Sequence, residues 1–285
     1  MFLITGATGT VGREAIDVLV KTGREVAAVT RRPAAAALPD GARVVAGDAS
    51  DPATLASSLP DGIEAVLLSP RAVGGATAEL LALAAARGAR HVVVLSASSV
   101  EHPAGLRRFA DEFKAVEAAA ERSGLRWTFL RCADFDANAL AWAPHVRATG
   151  VVRGAFGTAT TSPIHQRDIA EAAVAAMVDP AHHARSYLLT GPEALDQYDK
   201  VRLIGDAIHR ELSFVEVEPE QIRRAMLGRG LPEEIPDRML GSLADYASAP
   251  GPSTDTVERL LGRPALSFGQ WAAENAGAFE PPAGT

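Results

Sequence analysis

Short, unbroken apolar runs alternate with amphipathic stretches from the first residue to about residue 131. Phe2–Ile4, Glu25–Thr30, Arg43–Ala46, Ala65–Ser69, His91–Ser96 and Trp127–Arg131 are too short for helices and are dominated by apolar or β-branched residues. That pattern predicts parallel strands covered on both faces. Val11–Lys21, Ala76–Arg87 and Leu106–Arg122 show helical spacing between them, and Asp51-Pro52 opens a further short helix. With a last strand at Ser186–Thr190, the alternation predicts a doubly wound α/β fold with a mostly parallel sheet of about six or seven strands.

Past Arg131 the rhythm breaks, and Trp142, Pro144, His145, Phe156 and Gly157 enter. The segment Ser162–Ala170 opens a helix with Asp168 as its expected cap. After Gly191-Pro192 helices dominate: Asp196–Glu211, Glu218–Leu227, Pro232–Ser248, Thr254–Leu261 and Phe268–Ala276, with one short strand around Ser213–Val217. The expected division is a nucleotide-binding domain over 1–190, with a substrate-side excursion at about 132–167, and a smaller, mainly helical substrate lobe over 191–285. The Glu280–Thr285 tail is expected to be disordered.

The first strand runs directly into Thr5-Gly-Ala-Thr-Gly-Thr-Val-Gly12. Glycines at this spacing between a strand and a helix suit a dinucleotide: Gly6 for the turn, Gly9 for pyrophosphate approach, Gly12 for close helix packing. Amides at the helix start favour an anion, so Thr8, Thr10 and Val11 join the three glycines as candidate cofactor contacts. The second strand ends in Thr30-Arg31-Arg32, where an acidic residue would mark NAD. Arginines there suit a 2′-phosphate, so NADP(H) is the expected cofactor, with Arg13 also within reach. Asp48, after the third strand, reads either as an adenine contact or as a turn or capping residue. Ser69, Pro70 and Arg71 end the fourth strand, on the edge where cofactors sit in open sheets.

Composition narrows the partners. Net charge is −7 and no basic run exceeds Arg31-Arg32, which argues against nucleic acid. The single cysteine, Cys132, can form neither an intrachain disulfide nor a cysteine metal cluster, and its setting reads as packing. No apolar stretch approaches the roughly 20 residues of a membrane span, and no leader fits before the first strand. A cytoplasmic monomer or homodimer acting on a small molecule, with no metal, is the expectation.

Together with Gly47-Asp48, Lys114 and Glu117, Gly124–Arg131, Asn138, Ile164–Ala170 and Asp255–Gly262, these motifs make the chain resemble the NmrA-like NAD(P)-binding branch of the atypical short-chain dehydrogenase/reductases. The resemblance implies a Rossmann-type sheet with NADP(H), in a family that contains reductases of quinones, imines and activated double bonds as well as non-catalytic redox sensors. In the main branch a tyrosine four residues before a lysine donates the proton and a serine steadies the carbonyl. Here Lys114 is preceded at that spacing by Ala110, and the only tyrosines are Tyr187, Tyr198 and Tyr246. Lys114 is the candidate for holding the nicotinamide ribose, or else a solvated helix residue beside Asp111 or Glu117; Ser96 competes with Ser98 for the serine's place. Substitute donors are His102, Asp134, Asp136 and His165. The expected function is NADPH-dependent reduction of a conjugated or aromatic metabolite, a quinone, enone or imine, by direct hydride transfer without a catalytic tyrosine. The alternative is a non-catalytic NADP(H) sensor that binds a partner protein.

Overall fold

Seven parallel strands form the central sheet of the computed structural model, which describes residues 1–281. They are β1 (Phe2–Ile4), β2 (Val26–Thr30), β3 (Ala42–Ala46), β4 (Ala65–Leu68), β5 (His91–Ala97), β6 (Arg126–Cys132) and β8 (Arg185–Leu189). Their order, β3-β2-β1-β4-β5-β6-β8, reverses direction beside β1, so the Gly6–Gly12 turn opens at the switch point between β1 and β4. Each expected strand lies within a residue or two of its observed bounds.

The central strands are buried on both faces, which is why their sequences do not alternate. Phe2, Ile4 and Leu67 pack with Ala15, Ile16 and Leu19 of the Thr10–Lys21 helix and with the Gln166–Val178 helix. Leu3, Val66 and Leu68 point the other way, onto Leu80 and Leu81 of the Thr77–Ala86 helix and Val116 and Ala120 of the Arg107–Arg122 helix.

A third core belongs to the lobe and draws on both parts of the chain expected there: Val146 and Val152 from the excursion, Val201 and Ile204 from the Gln197–Ala207 helix, and Phe268, Trp271 and Phe279 from the C-terminal segment. A strand that the apolar pattern does not reveal, β7 (Val151–Gly154), pairs in parallel with β9 (Ser213–Glu216). Four residues following the left-handed Gly150 give too short a run to register.

Asp168 is not a helix cap. The Gln166–Val178 helix is capped by His165, whose Nδ1 accepts from the Arg167 amide at 3.1 Å. Asp168 sits buried in the first turn, 2.7 Å from Arg263 Nη2, and accepts from the Leu266 amide at 2.8 Å, fastening the C-terminal segment to the sheet domain. Among the described residues no helix is long and apolar enough to cross a membrane, and no group of side chains has the makings of a metal site. Most of the Glu280–Thr285 tail lies outside the described residues.

Candidate active site

The glycine turn is shaped by backbone demands. Gly6 has φ +63°, and the Gly9 amide donates to the Gly6 carbonyl at 2.9 Å, closing the turn. A Cβ on Gly12 would lie 2.3 Å from the Gly6 oxygen, so the helix rests directly on the turn that precedes it. One on Gly9 would meet that same oxygen at 3.1 Å. The Thr10–Lys21 helix starts without a side-chain cap and without an acidic residue in its first turn. Thr8, Gly9 and Thr10 are exposed, while Val11 and Gly12 are buried beneath them. The positive end of the helix dipole thus carries neither a side-chain cap nor an acidic residue of its own first turn, an arrangement suited to a bound pyrophosphate.

Arg31 and Arg32 are both exposed at the end of β2. Among the described residues, the carboxylate paired with Arg31 is Asp48, 3.9 Å away. Thr30, in the position an NAD site gives to an acid, accepts the Arg32 amide through Oγ1 at 3.2 Å. Asp48 itself is a turn residue: Oδ1 accepts from the Ser50 hydroxyl at 2.7 Å and from the Ser50 amide at 2.9 Å, and these bonds hold its carboxyl below the usual range. Arg13 is not free for the phosphate. It donates to the carbonyls of Thr8, Ala37 and Ala36 at 3.1, 2.6 and 2.8 Å, stapling the glycine turn to the segment after β2.

At the end of β4, the Ser69 amide donates to Thr5 Oγ1 at 2.8 Å, and its side chain lies against Gly6, where an added Cβ would come within 2.9 Å. Pro70 starts a short helix, Pro70–Val73, with Arg71 exposed upon it. Arg71 faces Arg238 of the lobe, whose guanidinium is held below its ordinary value by burial first and by Arg71 second.

Ser96 and Ser98 diverge. Ser96 is buried and donates to Glu117 Oε1 at 2.5 Å, and Arg131 closes on the same carboxylate. Its one O–H is thus committed to the covering helix. Ser98, just past β5, instead lies beside Tyr246 of the lobe helix Glu234–Ser248. Lys114 lies on the stripe of its helix that carries the buried Ala110 and Glu117; it is half-exposed, with Asp111 Oδ1 at 4.0 Å.

The substitute donors separate by burial. His102 is exposed, and His165 is enclosed at its cap with Nε2 3.3 Å from Glu274 Oε2. Asp134 is partly exposed, accepts from Asn138 Nδ2 and lies 3.9 Å from Lys200 Nζ. Asp136 is buried with neither carboxyl oxygen hydrogen-bonded by protein; burial, and then Asp134, push its pKa up to about 8. Lys200, also buried, donates to Thr161 Oγ1 at 2.8 Å and is held below its usual value by desolvation. Burial raises Cys132 to about 12, which leaves it an inert thiol. Trp271 is core, and Trp142 and Phe214 pack against the lobe cluster.

The residue the sequence did not announce is Tyr246, placed here only by the docking of the lobe helix. Gly105, at φ +69°, donates its amide to Asp245 Oδ2 at 2.7 Å, and the Ser242 hydroxyl donates to the Ala104 carbonyl at 3.3 Å. Arg238 lies over the Phe109 ring at 4.4 Å.

Residues 6–180 match the NAD(P)H-binding family. The chain is 36% identical over 283 residues, 99% of its own length and all of the relative's, to (4-alkanoyl-5-oxo-2,5-dihydrofuran-3-yl)methyl phosphate reductase of Streptomyces griseus. It is 32% identical to the NAD(P)H azoreductase of Xenophilus azovorans, over 98% of this chain and 99% of that one. Among solved structures, the NADPH-dependent quinone oxidoreductase of Escherichia coli complexed with NADPH superposes with a TM-score of 0.80 at 26% identity, over 96% of this chain and 99% of that one.

Proposed function

The chain belongs to the NAD(P)H-binding family, as an atypical short-chain dehydrogenase/reductase using NADP(H), and from that premise we propose that it reduces a small conjugated or aromatic molecule, such as an enone, quinone or imine. It is an NAD(P)H-dependent oxidoreductase. The observation that carries the finer reading is full-length similarity to reductases of a conjugated lactone and of azo compounds, in a chain with no tyrosine on the lysine-bearing helix.

When bound, NADPH supplies the hydride. In this proposal the uncapped helix start and Gly9 receive the pyrophosphate, and Arg31 and Arg32 receive the 2′-phosphate. Ser69, Pro70 and Arg71 flank the glycine turn, and Lys114 holds the nicotinamide ribose from its half-exposed stripe. In this reading residues 1–190 bind the cofactor, while 132–167 and 191–285 shape the substrate side. Acceptors whose charge is delocalised after hydride addition suit a site that lacks the usual tyrosine–lysine relay.

Incubation with NADPH and a panel of enones, quinones, imines and azo dyes tests the proposal through loss of the reduced-nicotinamide absorbance. Acceptor-dependent oxidation is the expected result. NADPH binding with no oxidation by any acceptor would overturn it in favour of a sensor.

A further inference from the structure

We propose that Tyr246, on the C-terminal lobe helix that docks against the segment after β5, donates the proton to the substrate oxygen, replacing from a different element the tyrosine that the Arg107–Arg122 helix lacks. The inference rests on the reductase reading above and amends the expectation of a reaction without a tyrosine.

Three observations converge. First, Ser98 follows β5 directly, at the edge that bears the Gly6–Gly12 turn, and unlike Ser96 it is not tied to Glu117. Second, the Glu234–Ser248 helix is fixed against the segment after β5 by the Gly105–Asp245 and Ala104–Ser242 hydrogen bonds, which dock its last turn on the chain that leaves that edge. The Gly105 backbone approaches so closely that an added Cβ would stand 2.7 Å from the Ser242 amide. Third, the Tyr246 carbonyl accepts the Thr160 amide at 3.2 Å, and Gly251 lies against the ring, where an added Cβ would meet Cε1 at 3.2 Å. Tyr246 is thus fixed through its backbone and along one edge of its ring, with Ser98 beside it.

The titratable groups facing the phenol are Asp134, from the segment after β6, and Asp245, its neighbour on the helix. Burial first, then Asp134, raise the phenol above its ordinary value, and the neighbouring Ser98 works against them. Tyr246 therefore remains protonated through the neutral range and is a donor, not a base. In the step proposed, hydride adds to a carbon conjugated with the substrate carbonyl and the π electron pair moves onto the oxygen. A new O–H bond forms there as the Tyr246 O–H bond breaks, and the phenolate regains a proton from water. Acceptor, NADPH and one proton give the dihydro product and NADP⁺.

The test pairs two acceptors on the full-length protein: an enone, which needs a proton, and a cationic triarylmethane dye, whose central carbon takes hydride to a neutral product without one. In Tyr246→Phe, enone turnover should fall on the order of 10²-fold, with dye turnover and NADPH affinity held within about threefold. Ser98→Ala should lower enone turnover in the same selective way. Equal losses on both acceptors, or none on either, would overturn the assignment. A second readout needs no turnover: in spectrophotometric titration, Tyr246→Phe should remove one high-titrating phenol and Ser98→Ala should move one upward. A titration unchanged by Ser98→Ala would refute the pairing. A wild type that oxidises NADPH with neither acceptor would instead count against the reductase reading, leaving the titration to decide the pair.

Discussion

Ser96 donates its hydroxyl to the buried Glu117 carboxylate at 2.5 Å, and Arg131 grips that carboxylate through Nε at 3.1 Å and Nη2 at 2.8 Å. The arrangement ties β5, β6 and the Arg107–Arg122 helix together at one point. Ser96→Ala should therefore cost stability, about 1 kcal/mol for one hydrogen bond, and leave NADPH affinity unchanged. Glu117→Ala should cost more, about 3 kcal/mol, because it leaves a largely buried guanidinium without its main partner. Urea denaturation alongside NADPH titration separates the two roles; weaker NADPH binding in Ser96→Ala would return this serine to the cofactor site.

Among the described residues Arg31 and Arg32 meet only one competing carboxylate, Asp48, which is fixed by Ser50 and stands 3.9 Å from Arg31. A charged hydrogen bond to a 2′-phosphate contributes roughly 1.5–3 kcal/mol. The Arg31→Ala, Arg32→Ala double variant should lose at least about tenfold in NADPH affinity and little in NADH affinity. Isothermal titration of both cofactors checks it, and an unchanged affinity ratio would remove these residues from the account.

Gly12 stands where helix propensity and packing disagree. Alanine in a helix is favoured over glycine by about 1 kcal/mol, yet here its Cβ would lie 2.3 Å from the Gly6 carbonyl oxygen, a backbone atom. Packing wins, because moving that oxygen moves the whole turn. Gly12→Ala should destabilise by about 1–3 kcal/mol and weaken NADPH binding in the same titration. At Gly9 the corresponding approach is 3.1 Å, so Gly9→Ala should be milder for stability while still obstructing the cofactor.

Asp136 makes stability depend on pH. Its folded pKa is raised to about 8 from 3.8. Between those values the folded chain binds a proton that the unfolded chain has released, so this group's contribution to stability falls as pH rises from 4 to 8. Asp136→Asn removes the titration. Its melting temperature, measured against wild type at pH 5 and pH 8.5, should show a relative gain at the higher pH; a difference independent of pH would mean that the carboxyl is not buried as described.

The sheet was legible because its information is local. Unbroken runs such as Val92–Leu95 announce doubly covered strands, and the glycine spacing names the turn between β1 and its helix. What could not be read depends on contacts between distant segments. Arg13 looks like a phosphate ligand until the carbonyls of Ala36 and Ala37 surround it, and Asp168 looks like a cap until Arg263 reaches it from the far end of the chain. Ser96 and Ser98 are indistinguishable in sequence and part only when Glu117 and Tyr246 arrive from different elements. Tyr246 carried no local signal, since its place is set by Asp245 meeting the Gly105 amide.

Lys114 lies four residues after the buried Ala110 and three before the buried Glu117, so it is on the sheet-facing stripe of its helix although half its side chain is exposed. Its nearest carboxylate, Asp111, is 4.0 Å away, and an exposed pair of that kind is worth about 0–1 kcal/mol. Lys114→Ala should therefore barely alter thermal stability. If the ammonium holds the nicotinamide ribose, the same substitution weakens NADPH binding by roughly 1.5–3 kcal/mol for one charged hydrogen bond, and turnover falls with it. A much larger, selective loss of turnover would give the lysine a share in proton transfer and set it in competition with Tyr246, which the Lys114→Ala, Tyr246→Phe double variant resolves. Two groups serving one proton give losses well short of additive, whereas independent roles add. Should Lys114→Ala bind NADPH and turn over like wild type at every pH, the lysine belongs to the solvated face of its helix and the ribose is held by other groups.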